Sequence, residues 1–168
     1  KNDGSYDVTA PNQGTKTQSV VPASWLSNLN SFMASGHSHA GGPANPSAGD
    51  FYTMLESIAK PNSNFSYSFV YGKSNNIDEV YALVLNDKAA AIAFLDAYPR
   101  AQNYDPVTHD FLYGSKLWKE IEKMKSIFSN KSTATDTSGE NYNGPSVGLA
   151  YMLENLNAGM SIAKVDVN

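Results

Sequence analysis

The sequence predicts an α+β fold, with four to five helices packed on a small, mainly antiparallel sheet and an extended N-terminal arm. Three observations point there. Apolar residues recur at helical spacing in several separate stretches. A strictly alternating run, Phe65, Tyr67, Phe69 and Tyr71 against Ser66, Ser68 and Val70, reads as a strand with residues 77–85 as its hairpin partner. Finally, Pro46-Ser47-Ala48-Gly49, followed by Tyr52 and Met54-Leu55-Glu56-Ser57-Ile58, returns as Pro145-Ser146-Val147-Gly148, followed by Tyr151 and Met152-Leu153-Glu154-Asn155-Leu156. Each copy follows a polar loop, and each loop follows a segment opened by a tryptophan, Trp25 or Trp118. That order suggests an internally duplicated helix-loop-helix-strand unit over residues 22–71 and 115–167.

Taken in order, residues 1–21 lack apolar periodicity and read as an extended or flexible arm, leaving 22–168 as a single α+β domain. Trp25, Leu26, Leu29, Phe32 and Met33 predict a first helix that Ser35-Gly36 stops. Residues 36–46, with Gly-Gly-Pro and Asn-Pro, read as loop. Ser47 is placed to cap a second helix, with Asp50 in its first turn and Phe51, Leu55 and Ile58 facing inward. The hairpin follows, with a turn at Gly72–Asn76, and the alternation predicts buried aromatics and exposed serines. Asp87 can cap a third helix that ends before Pro99, and Asp105-Pro106 opens a short helical turn. Ser115 can cap a fourth long helix whose Leu117, Ile121, Met124 and Phe128 form a buried stripe. After a polar loop at 129–144, Leu149, Met152, Leu153 and Leu156 line a last helix, and Ser161 to Val167 closes the chain as a strand.

Composition narrows the partners. The 168 residues carry a net charge of −4 with one arginine, Arg100, against 11 lysines. Nucleic-acid binding draws on clustered basic residues and on bidentate arginine, so nucleic acid is not expected as a partner. The densest basic stretch, Lys116, Lys119, Lys123 and Lys125, is interleaved with Glu120 and Glu122 and reads as an ion-paired helix face. No apolar run reaches the roughly 20 residues of a membrane span. A surface built on 20 serines, 17 asparagines and 10 tyrosines, on a chain opening at Lys1, resembles the mature part of an exported protein. The expected location is therefore secreted, extracellular or periplasmic. The absence of cysteine leaves that open, and the sequons at Asn64 and Asn130 match a pattern that arises readily by chance in such a composition.

The candidate sites are few. Gly36-His37-Ser38-His39-Ala40 approaches a nucleophile elbow, but it lacks the strand-to-helix context and the final glycine that make the serine reactive. His37 and His39 form the stronger candidate, a divalent metal pair: alternate residues of an extended segment send both imidazoles to one side. Zinc needs at least one further ligand, for which Asp50 and Asp110 are available; His109 is the remaining imidazole. Otherwise the two histidines simply face solvent. The runs 3–7 and 136–140 carry oxygens at calcium-like alternation without the glycine and glutamate of a calcium loop. Glu56 and Glu154 read as surface carboxylates, although a converging pair would suit glycoside hydrolysis. Gly49 and Gly148 point to close helix packing. Tyr67 and Tyr71 are candidate ligand-binding residues if their face of the strand is open to a sugar or protein.

With no catalytic signature present, the sequence points to a non-catalytic exported or cell-surface protein that binds a surface protein or glycan, or self-assembles into a homo-oligomer by adding its arm to a neighbour's sheet edge. The alternative is a metal-dependent hydrolase built on the His37/His39 loop.

Overall fold

A computed structural model describes residues 5–14, 32–40, 42–74, 77–129, 134–135, 141–142 and 144–166. Among these are five helices and a four-stranded mixed sheet, an α+β arrangement. The order is β1 (Ala34–Ser38), α1 (Ala48–Ile58), β2 (Tyr67–Ser74), β3 (Ile77–Leu85), α2 (Lys88–Ala97), α3 (Arg100–Asn103), α4 (Lys116–Ser129), a short ribbon of β4 (Ala134–Thr135) and β5 (Asn141–Tyr142), α5 (Gly144–Asn155) and β6 (Met160–Val165). The sheet runs β1-β2-β3-β6. Its β2–β3 and β3–β6 pairings are antiparallel, and β1 joins β2 in parallel.

Several helix limits follow directly from side-chain chemistry. Ser47 caps α1 through a reciprocal box: Asp50 N–H donates to its hydroxyl, and Asp50 accepts from Ser47 N–H. Asp87 accepts from the amides of Ala89 and Ala90 at the start of α2, and Ser115 accepts from Trp118 N–H at the start of α4. Pro99 ends the α2 region as expected, yet the next helix begins at once, over Arg100–Asn103. The Asp105 region, expected as helical, is instead a turn held by Val107 N–H on Asp105 Oδ1 and closed by a Tyr104–Phe111 bridge.

Two expectations are corrected by the sheet. Residues 36–38, read as loop, belong to β1: nothing in Ala-Ser-Gly-His-Ser favours a strand, and pairing along the edge of β2 imposes it. The aromatic row of β2 also faces the other way. Ser68 and Val70 lie buried toward the helices, opposite Leu83 and Tyr81, whereas Tyr67 and Tyr71 are exposed. The α1 helix packs on this strand.

The core lies between the helices and one sheet face. Phe51, Tyr52, Met54, Leu55 and Ile58 of α1 meet Phe94, Phe111, Leu117, Leu149, Met152 and Leu153, with Leu83 and Met160 supplied by the sheet. Phe51 makes edge or tilted ring contacts with Tyr52, Phe94 and Phe111. Tyr52 is fully buried, and its hydroxyl donates to the Tyr98 carbonyl at 2.9 Å.

Residues 5–14 are exposed and carry no regular structure. The Trp25 segment, the loop around Asn130, the 136–140 stretch and the start of the 3–7 stretch fall outside the described residues. Both Pro-Ser-x-Gly segments lie at helix starts, but in different positions. Ser47 precedes α1, whereas Ser146 is already inside the first turn of α5.

Candidate metal centre

The site begins in β1. His37 lies opposite Val70 of β2, so its ring projects to the helix-covered side of the sheet. His39 continues the ladder through its N–H to Tyr71 O at 2.8 Å and projects to the same side, two residues on. The chain then turns over the sheet. Gly42 O accepts from Lys73 N–H, and residues 42–44 press so closely on Gly72 that a Cβ there would lie 2.5 Å from Ala44 N. This return delivers Ser47 and the first turn of α1 to the two imidazoles, and with them Asp50.

Three potential ligand side chains converge. His37 Nε2 stands 2.9 Å from Asp50 Oδ1, His39 Nε2 stands 3.4 Å from Asp50 Oδ2, and the two Nε2 atoms are 3.2 Å apart. With Zn–N and Zn–O bonds near 2.0–2.1 Å, tetrahedral geometry sets neighbouring ligand atoms about 3.3 Å apart. One donor atom from each side chain lies within 4.8 Å of the others, close enough for the three to share one ion, and all three side chains are partly buried. Among the described residues, no other group of three His or acidic side chains converges in this way.

The supports beneath the ligands are also present. His39 Nδ1 lies 3.0 Å from Pro43 O. A carbonyl can only accept, so Nδ1 carries the proton and the neutral ring turns the lone pair of Nε2 inward, the form that binds metal. Asp50 Oδ2 accepts from the Ser47 amide at 2.7 Å and the Ser47 hydroxyl at 2.8 Å, which fixes the carboxylate while Oδ1 faces His37.

Without a cation, this arrangement is crowded with lone pairs. Two imidazole nitrogens and a carboxylate face one another, so at least one bridging proton is required. The Asp50 hydrogen bond raises the affinity of His39 for a proton, against the opposing effect of burial, and the Pro43 carbonyl adds to the rise. Burial pushes the Asp50 carboxyl up, but hydrogen bonds from His37 and His39 outweigh it and hold the group well below the usual carboxylate range. A divalent ion would supply the same compensation with more charge.

No protein-family model, curated protein or solved structure matches the chain.

Of the expected site residues, the structure brings together His37, His39 and Asp50. The other candidate ligand, Asp110, is placed elsewhere, with one carboxylate oxygen accepting from Phe111 N–H. His109 bonds through Nδ1 to the Tyr104 hydroxyl at 2.8 Å. Glu56 pairs with Arg100 at 3.1 Å rather than with Glu154. Gly148 is the close helix contact expected of it, since a Cβ would lie 2.6 Å from Ile121 O. Sequence reasoning missed the supporting roles of Pro43 and Ser47. The spacing Ser47-x-x-Asp50, a capping-box pattern, was the available signal. Tyr67 and Tyr71 lie on the opposite sheet face from the metal trio.

Proposed function

We propose that this protein is a non-catalytic, exported binding protein that captures one divalent ion of the zinc class on His37, His39 and Asp50. The observation that carries this reading is the convergence of two Nε2 atoms and one carboxylate, with His39 and Asp50 each held by a hydrogen bond to a group outside the trio. Imidazole and carboxylate together suit zinc and its first-row neighbours better than calcium or magnesium, which favour all-oxygen sets. The ion would tie the end of β1 to the first turn of α1.

Zinc titration against a chelating dye tests this. The expected result is one equivalent bound by the wild-type protein, with affinity weakened at least about tenfold in Asp50→Asn and binding lost in the His37→Ala/His39→Ala double variant. Binding that all the variants retain would sink the proposal.

One observation favours metal-dependent hydrolysis as a second reading: three protein ligands leave a fourth position for water, the arrangement of catalytic zinc sites. Zinc-dependent turnover of p-nitrophenyl acetate or bis(p-nitrophenyl) phosphate, abolished in Asp50→Asn, would favour it. Stoichiometric binding without turnover of these esters supports capture.

A further inference from the structure

The sheet has a second face, and its chemistry differs from the first. Residues directly opposite one another in adjacent strands share a face. On the helix side, the core takes Leu83, Leu85, Met160 and Ile162 from β3 and β6. The other side presents Tyr67, Phe69 and Tyr71 in a row along β2, with Tyr67 37% and Tyr71 47% exposed. The Tyr67 and Phe69 rings are stacked within 21° of parallel, their centroids 6.4 Å apart. Tyr71 lies against the β1 backbone: a Cβ on Gly36 would stand 3.1 Å from its ring edge. Gly36 therefore lets this ring settle against β1. The neighbouring residues of β3 and β6 on this face are uncharged: Ala82 opposite Phe69 with Ala163 beyond it, and Val84 and Val80 opposite Tyr67 and Tyr71.

We propose that this strip binds neutral oligosaccharide, with hexose rings stacked on Tyr67, Phe69 and Tyr71 and sugar hydroxyls meeting the two tyrosine hydroxyls. Charge selects the ligand class. Among the described strand residues, the only ionised groups on this face are Lys73 and Asp78, which neutralise one another at 3.1 Å at the hairpin end. A polyanion or an acidic peptide would find no counter-charge along the rings. Size selects against a protein partner. At 150–250 Å² per aromatic side chain, the two exposed tyrosines offer roughly 150–200 Å². A standard protein interface needs about 800 Å² from each partner. Aromatic side chains with a polar tip match the alternating apolar and hydroxylated surfaces of a pyranose.

The test is calorimetric titration of the full chain with four neutral oligosaccharides: cellohexaose, chitohexaose, laminarihexaose and mannohexaose. The expected result is saturable binding of at least one, weakened about tenfold by Tyr67→Ala or Tyr71→Ala, as loss of a stacked ring implies. The Tyr71→Phe variant should keep most of the affinity, because it retains the ring. Both tyrosines are solvent-facing, so the variants should fold, which circular dichroism checks; Ala163→Arg, which places bulk and charge beside the strip, should also block binding. The His37→Ala/His39→Ala variant should bind sugar like the wild type, which separates this site from the metal centre. The proposal is overturned if none of the four sugars binds at millimolar concentration, or if binding survives both tyrosine truncations. Concentration-dependent dimerisation abolished by Tyr71→Ala would also overturn it, assigning the face to a second copy.

Discussion

Single residues decide how the metal trio is held. Ser47 is both the cap of α1 and the double donor to Asp50 Oδ2, so the chemistry that starts the helix also aims the ligand. Ser47→Ala should weaken zinc affinity about tenfold, as loss of an outer-shell partner commonly does. It should also cost about 1 kcal/mol of stability through the lost cap, and urea unfolding of the metal-free protein separates the two effects. Gly72 acts at longer range. Its missing side chain admits residues 42–44, which carry the Pro43 carbonyl to His39. Gly72→Ala would drive a methyl into backbone that has no flexible end to move, and should destabilise the protein by about 1–3 kcal/mol. Reduced zinc affinity should accompany that loss, and unchanged unfolding with unchanged affinity would show that the close approach is unimportant. At this scale much was legible. Both histidines, Asp50 and the capping role of Ser47 could be named from residue type and spacing. Pro43 could not, because its contribution is a backbone carbonyl that no side-chain pattern announces.

Secondary-structure elements were legible where local chemistry agreed with the final state, and illegible where tertiary contact overrode it. The caps at Ser47, Asp87 and Ser115 and the β2–β3 hairpin follow from sequence. Strand β1 does not, since Ala34–Ser38 becomes extended only by pairing with β2. Alternation located β2 but not its inward face, where Ser68 and Val70 lie. Helix packing gives two tests. Leu55 and Leu153 are each about 1% exposed, and Leu→Ala at either should cost about 2–5 kcal/mol in urea unfolding. The α4–α5 contact is fastened by Glu120, which accepts from Lys123 at 2.7 Å and from Asn155 at 3.0 Å. The Lys123 hydrogen bond lowers the proton affinity of Glu120, against an opposing effect of burial, with Asn155 assisting. A carboxyl lowered in the folded state stabilises above its unfolded pKa, about 4.3, and loses that contribution as pH falls through the folded value. Wild-type stability should therefore decline on acidification below about pH 4.5 more steeply than that of Glu120→Gln; parallel profiles would deny Glu120 this role.

Across the whole molecule, one sheet carries two chemistries on its two faces. The helix-covered face ends in the metal trio, and the other bears the aromatic strip. The second Pro-Ser-x-Gly segment reaches the residue that precedes the first: the Ser146 hydroxyl donates to Asn45 Oδ1 at 2.9 Å. Residues 101 positions apart in sequence thereby brace the loop that leads from His39 to Asp50. Sequence reading did not anticipate this contact, because it joins residues far apart in the chain. The claim on which the functional account stands is that zinc sits among His37, His39 and Asp50, and X-ray absorption at the zinc edge of the loaded protein tests it most directly. Zinc held by these residues should give a nitrogen and oxygen shell at about 2.0–2.1 Å with outer scattering from two imidazoles, and one imidazole fewer in His37→Ala. A spectrum of oxygen ligands alone, or one unchanged by that substitution, would contradict it.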